Sequence, residues 1–428
     1  MWSAETIRVV AQLPQNGIFL TGIEGSDPVV DGVRRNQLKE AHDFYLHYKE
    51  RLANIRDLGL TWLRFGPPYS QIHLGKDDYD WQFMDAVVAE SDRLGITLIA
   101  DLLHFGLPEW LHESATETPY FQNPAFPIAF GRYAAAFARR YPSIRYYTPV
   151  NEPFITCYLS AKLGWWNEAK GSAWSSDHDF VRAANHLAKA AILAKKAIRQ
   201  VWLEEERAGE PLFIQNESFE LAEAKPGAER EAEARRFNLR RFVLLDLIFG
   251  HRDSVMMNYL AEYGLTSAEY EWFIEHGETK GTILGIDYYP TCIHVLEADR
   301  VVSRDDAERS HHLFDLVREY WERYPLPLLH TEVNSWPDHA LKLCQETYDA
   351  LARLRHEGYP VLGMGWYGDE LQIGWHVAMV GPDSQAENPV GLFHYGSKQP
   401  VAELYGQLAV TGLPAFDHQQ ASLRMTGL

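Results

Sequence analysis

Two glutamates stand out for what precedes them. Tyr146-Tyr147-Thr148-Pro149-Val150-Asn151-Glu152-Pro153 is an aromatic and β-branched run that ends on an Asn-Glu pair and is cut off by proline. That is the pattern of a buried strand with a carboxylate at its C-terminal tip. Far downstream, Pro327-Leu328-Leu329-His330-Thr331-Glu332-Val333-Asn334 repeats it. Two carboxylates delivered by two strand ends suit the cleavage of a glycosidic bond, one protonating the leaving oxygen while the other attacks the anomeric carbon. A glutamate just past a strand is ordinarily a solvated surface group, and with 59 acidic residues, and Asn-Glu recurring at Asn216-Glu217, the dipeptide means nothing alone. The elements between the two glutamates have to decide.

Those elements alternate. Residues 17–23, 61–65, 96–103, 146–153, 211–215, 283–288, 327–334 and 360–367 are short apolar runs of strand length, and 96–103 is nearly continuous, as expected of a strand buried on both faces. Between them lie segments with helical periodicity. Phe44, Tyr45, Tyr48, Leu52, Ile55 and Leu58 share one face and stop at Gly59; Trp81, Met84, Val87, Val88, Ser91 and Leu94 share another and stop at Gly95. Helices are also expected over about 124–141, 179–205, through Phe237 to Leu245, near 255–263, and over 313–323, 340–356 and 401–408. Eight strand-helix units without an internal linker predict an α/β chain forming a single (β/α)8 TIM barrel over residues 1–428, with its active site at the C-terminal ends of the strands. No glycine-rich turn follows the first strand to hold a phosphate, which disfavours a doubly wound sheet.

Composition narrows the partners. The chain of 428 residues is 46% hydrophobic and 13% aromatic, ample for one large core. Thirteen Trp and 22 Tyr also supply flat faces that suit sugar rings. A net charge of −19 argues against nucleic acid and anionic membrane as partners. Cys157, Cys292 and Cys344 are too few and too far apart for a disulfide framework or a thiolate metal site, and no metal or cofactor is expected. Residues 1–6 carry no basic and apolar leader pattern, and no 18-residue uncharged apolar run occurs. A cytoplasmic protein acting on a small neutral molecule is the simplest expectation. Nothing in the chain specifies its oligomeric state.

With the two glutamates on the fourth and seventh strands, the chain resembles the family 1 glycoside hydrolases, β-glucosidase-like retaining enzymes, and in particular their shorter, divergent members. Leu63-Arg64-Phe65 is similar to the family's Tyr-Arg-Phe, Leu102-Leu103-His104-Phe105-Gly106-Leu107-Pro108 to its Tyr-His-Trp-Asp-Leu-Pro, and Leu284-Gly285-Ile286-Asp287-Tyr288-Tyr289 to its Leu-Gly-Ile-Asn-Tyr-Tyr. The resemblance implies Glu152 as general acid and base, Glu332 as nucleophile, and Asn151 as partner of the sugar 2-hydroxyl. It further implies Arg64 and Tyr289 as partners of the nucleophile, His104 as a ligand of the 3-hydroxyl, and Trp366 and Trp375 in the sugar site. His330 has no counterpart; two residues before Glu332, it is expected on the same side of its strand, as a structural histidine.

The departures matter too. The family places a glutamine, and a Glu-Trp pair after the eighth strand, around the 3-, 4- and 6-hydroxyls; here the first position is Gly22 and the second Gly374, with Glu370 or Gln372 as candidate substitutes. Relaxed glycone specificity is the expectation. The serine-lysine-tyrosine pocket of the family's phosphosugar branch is missing, which disfavours phosphorylated glycosides. The resulting reading is a retaining, exo-acting β-glycosidase on small β-glycosides or oligosaccharides, without cofactor. Its alternatives are a catalytically inactive barrel that binds carbohydrate or serves as a scaffold, and a transglycosylase sharing the same intermediate.

Overall fold

The computed structural model describes residues 3–113, 120–167, 176–289, 291–303 and 309–416. Eight parallel strands form one sheet: β1 Ile18–Ile23, β2 Trp62–Phe65, β3 Thr97–Asp101, β4 Tyr146–Thr148, β5 Leu212–Ser218, β6 Thr282–Asp287, β7 Leu328–Glu332 and β8 Gly363–Tyr367. Each pairs with its neighbour in sequence, and β1 also pairs with β8. β7 meets β8 through a parallel bridge between Leu328 and Val361 and through Tyr367 N–H donating to the Val333 carbonyl at 2.9 Å, which closes the ring. Helices Phe44–Asp57, Gln82–Leu94, Phe126–Arg140, Asp177–Glu204, Val243–Phe249, Arg309–Arg323, Pro337–His356 and Pro400–Thr411 follow the strands in turn. This is the expected (β/α)8 barrel.

Strand alternation sorts the side chains into two cores. Phe19, Leu63, Leu98, Phe213, Leu284, Ile286, Leu328, Met364 and Trp366 face outward into the layer between sheet and helices. Leu20, Ile99, Leu212, Ile214, Ile283 and Leu329 face inward and fill the lower half of the barrel, where Val9, Val10 and Leu13 plug the bottom. The N-terminal helix Ala4–Val10 that supplies this plug, capped by Ser3, is absent from the sequence reading. So is a small sheet outside the barrel, Leu221–Ala224, Ile293–Leu296 and Val301–Ser303.

One irregularity re-aims a functional residue. Ile286 lies opposite His330 but Asp287 lies opposite Glu332, so β7 carries one extra residue, Thr331, in a bulge. Strict alternation from Leu329, which faces inward, would turn Glu332 outward with Leu328 and His330. The bulge turns it back into the barrel. The expectation that His330 shares a side with Glu332 is therefore overturned: His330 pairs with outward-facing Ile286, and burial drives its pKa down to about 3, leaving a neutral core imidazole.

Candidate active site

Going up the barrel, the lining changes from aliphatic to polar. Gly22, Arg64, Asp101, Asn216, Asp287, Glu332 and Tyr367 succeed the apolar layer at the C-terminal ends of the strands. Above them opens a cleft of about 1350 Å³ whose wall includes Glu24, His104, Glu152, Tyr289, Glu332, Gln372 and Trp375. Each lies just after the end of a strand, apart from Glu332, which ends β7.

Glu152 is held in a left-handed backbone conformation, φ 35° and ψ 64°, at the entry to the short helix Pro153–Cys157. A non-glycine residue adopts that conformation only where its surroundings enforce it. Here Asn151 N–H donates to the Leu103 carbonyl at 2.9 Å, Thr156 Oγ1 to the Asn151 carbonyl at 3.0 Å, and Phe154 N–H to both oxygens of buried Glu217 at 3.0 and 3.1 Å. The turn is thus fixed from three sides. Burial, followed by the charges of Glu332, Asp287, Glu217 and Glu220, holds the Glu152 carboxyl well above the ordinary carboxylate range.

Glu332 is surrounded by hydrogen-bond donors. The Arg64 guanidinium donates to Oε1 and the Tyr289 hydroxyl to Oε2, so both oxygens have a donor. Arg64 also donates to Asp101 Oδ2 at 2.8 Å and to Asn151 Oδ1; burial works against its charge, and the carboxylates of Asp101, Glu332 and Asp287 sustain it. Oxygens of Glu152, Asp287 and Glu332 all lie within 4.8 Å of one another. Glu152 and Glu332 thus face each other across the floor of the cleft, with one oxygen of each inside that distance.

Around this pair the structure places most of the expected residues and moves two. His104 lines the cleft, with Nδ1 2.7 Å from Asp101 Oδ2 and Nε2 3.2 Å from Asn151 Nδ2. Burial opposes its protonation, but Asp101 and then Glu24 raise its pKa above the ordinary value. Asn151 and Arg64 sit in the layer behind the cleft, joined to the reacting groups by the bonds above. Trp375 lines the cleft, packed against Phe105 and Trp166 at 5.7 and 5.5 Å between ring centres. Trp366 does not reach it: alternation along β8 points the indole outward, where Nε1 donates to the Val390 carbonyl at 3.2 Å. Its neighbour Tyr367 faces inward, its ring parallel to that of His104 at 6.2 Å.

Glu370 also turns away, accepting from His42 Nδ1 at 3.0 Å and from the backbone of Tyr395 and Gly396 at 2.9 and 2.7 Å. The polar groups lining the cleft from the segments after β1 and β8 include Glu24 and Gln372, with Gln372 Nε2 donating to Glu24 Oε2 at 3.3 Å. Burial raises the Glu24 pKa, partly offset by His104. Glu24 escaped the sequence reading because it lies in an irregular loop. Asn216 and Glu217, noted only as a recurrence of the dipeptide, belong to the site: Asn216 Nδ2 donates to Asn151 Oδ1 at 2.6 Å and to Asp287. The sequence signal was their place at the end of a strand.

The family model described as Glycosyl hydrolase family 1 matches residues 29–329. The chain belongs to glycosyl hydrolase family 1. This family 1 hydrolase is 32% identical over 133 residues to the aryl-phospho-β-D-glucosidase BglA of Bacillus subtilis (strain 168), a match spanning 29% of the chain and 27% of that enzyme. Its fold is that of the family 1 β-glucosidase from Thermotoga maritima, at 16% identity and a TM-score of 0.72 over 94% of this chain and 99% of that one. The same agreement holds for the Thermotoga maritima β-glucosidase in complex with deoxynojirimycin, again at 16% identity, a TM-score of 0.72 and coverage of 94% and 99%. Among the described residues, no helix of this hydrolase is long and apolar enough to cross a membrane.

Proposed function

We propose that this hydrolase is a retaining, exo-acting β-glycosidase whose nucleophile is Glu332 and whose acid and base is Glu152. The observation that carries the reading is that an oxygen of each carboxyl comes within 4.8 Å of the other in contrasting surroundings, a close approach that suits direct attack on the sugar. Glu152, apolar-walled and facing other carboxyls, keeps its proton for the leaving oxygen, while Glu332 takes donors from Arg64 and Tyr289 on both oxygens. Attack by Glu332 on the anomeric carbon expels the aglycone as Glu152 protonates it. Glu152, then ionised, removes a proton from water, which breaks the glycosyl-enzyme ester and restores both groups. A barrel that merely bound sugar or served as a scaffold would gain nothing from burying this pair.

On the side of β1, β3 and β8, Glu24, His104, Gln372 and Trp375 serve the glycone, with Asn151 behind them on the 2-hydroxyl. Glu24 supplies from the first strand loop an acidic group that Gly374 does not, so discrimination among glycone hydroxyls is tighter than the two glycines alone imply. Among the described lining residues Arg240 is the one Lys or Arg, and Asp177 engages it at 2.9 Å. An acidic cleft with its cation occupied favours neutral glycosides over phosphorylated ones. Action in the cytoplasm on a small β-glycoside accords with this chemistry.

The test separates the glutamates by leaving group. Glu152→Ala costs far more kcat/KM with an alkyl glycoside than with a dinitrophenyl glycoside, which departs unaided, and azide attacking the glycosyl-enzyme that accumulates with the dinitrophenyl substrate raises its kcat and gives a β-glycosyl azide. Glu332→Ala lowers both substrates by roughly 10⁴-fold or more, and azide there gives the α product. Equal losses for Glu152→Ala on both substrates, or azides of reversed configuration, would overturn the assignment.

A further inference from the structure

Asp287 is the third carboxyl of the cluster, fully buried, and the reaction as described does not use it. Its partners are neutral: Thr331 Oγ1 donates to Oδ1 at 2.5 Å and Asn216 Nδ2 to Oδ2. The guanidinium nearby, Arg64, hydrogen-bonds Glu332, Asp101 and Asn151. From β5 Glu217 faces the same region, from β7 Glu332, from the tip of β4 Glu152, and from beyond β6 Tyr289; His330 lies on the other face of β7. Three carboxyl groups with oxygens within 4.8 Å of one another, sharing a guanidinium that hydrogen-bonds Glu332, cannot all ionise independently.

We propose that Asp287 is a positioning residue acting through Glu152: its charge decides how firmly the acid glutamate keeps its proton and so where activity ends as the pH rises. The hydrogen bonds give the order. Both Asp287 oxygens accept a bond, which favours the ionised form, whereas among the described residues no hydrogen bond reaches the Glu152 carboxyl. Asp287 therefore releases its proton before Glu152 does, and the charge left behind stands beside a Glu152 that must then ionise against it. Burial raises both groups; at Asp287 Glu332 adds to the rise while Arg64, Thr331 and Asn216 oppose it, and Asp287 stands among the charges that raise Glu152.

This rests on Glu152 being the acid, and the experiment keeps the two claims apart. Asp287→Asn preserves the packing, because the amide oxygen accepts from Asn216 while the amide nitrogen donates to Thr331 Oγ1. The profile of kcat/KM against pH is measured with a mononitrophenyl glycoside, which leaves readily enough to be followed in every variant, for the wild-type enzyme, Asp287→Asn, Asp287→Ser and Glu152→Gln. The expected result is a basic limb displaced to lower pH by at least about one unit in whichever Asp287 variant folds, with the acidic limb in place. A structural role alone would lower the whole profile without moving that limb. Loss of the basic limb in Glu152→Gln together with an unmoved limb in a folded Asp287 variant overturns this inference alone. A basic limb that survives in Glu152→Gln overturns the assignment of the acid itself.

Discussion

The lower and upper halves of this barrel are built by the same eight strands and solve opposite problems. Below, Leu20, Ile99, Ile214, Ile283 and Leu329 meet across the lumen and the N-terminal plug seals them from water. Two residues beyond Trp62 in β2 and Ile214 in β5, and four beyond Ile283 in β6, the inward positions are Arg64, Asn216 and Asp287, an assembly that would be prohibitively unfavourable without its mutual hydrogen bonds. Each half makes the other possible. The aliphatic layer provides the burial that holds strand ends in register, and the polar layer uses that rigidity to keep acids apart from their ordinary protonation behaviour. Removing a residue from the lower half should therefore cost stability and spare chemistry, whereas removing one from the upper half should disturb chemistry first.

Arg64→Met breaks this division most severely, since it strands Glu332 and Asp101 in the interior. Denaturant titration is expected to show a loss of about 3 to 5 kcal/mol, and kcat/KM a fall of at least about 100-fold. Leu329→Ala tests the lower half: a loss of about 2 to 5 kcal/mol, with the pH limbs of kcat/KM where they were. A moved limb would show that the aliphatic layer tunes the acids after all.

Asp27 tests the upper rim through pH. Burial pushes its pKa up to about 6 from the ordinary 3.8, against the pull of Arg34. The folded chain therefore holds this proton where the unfolded chain has released it, so the stability it contributes is complete below about pH 4 and is lost as the pH rises to about 6. Relative to Asp27→Asn, the wild-type protein should lose up to ~3 kcal/mol across that window and change little above it. A difference that is flat with pH, or grows the other way, would contradict the raised pKa. His330→Leu is the mildest probe: neutral, outward and fully buried, the imidazole should be replaced at a cost below about 1.5 kcal/mol with an unaltered pH profile.

What was legible in the sequence follows from how local the signal is. The strands announced themselves as apolar runs because both their faces are buried, and the helices because one face is; Glu152 and Glu332 were found because they end such runs. The bulge at Thr331 could not be seen, since it exists only relative to the register of β6, and with it went the orientation of His330. Trp366 was placed in the sugar site by its neighbourhood in the chain, yet one position along a strand is the difference between lumen and helix layer. Gln372 was named as a candidate, but its partner Glu24 lies 348 positions away in an irregular loop that nothing periodic marks. The small sheet of Leu221–Ala224, Ile293–Leu296 and Val301–Ser303 joins segments whose individual patterns are too short to register.

Gly22 and Tyr367 lie side by side in the register of β1 and β8, and a Cβ at Gly22 would come within 1.9 Å of the tyrosine ring. The absent side chain at one position and the large one at the other are therefore a single trait written in two codons. A lineage carrying Tyr367 has no viable single step back to a long polar residue at position 22, because the intermediate collides with backbone-anchored aromatic atoms. It must first lose the ring, and with it the partner stacked over His104. A long polar side chain at position 22 therefore takes a second change at position 367.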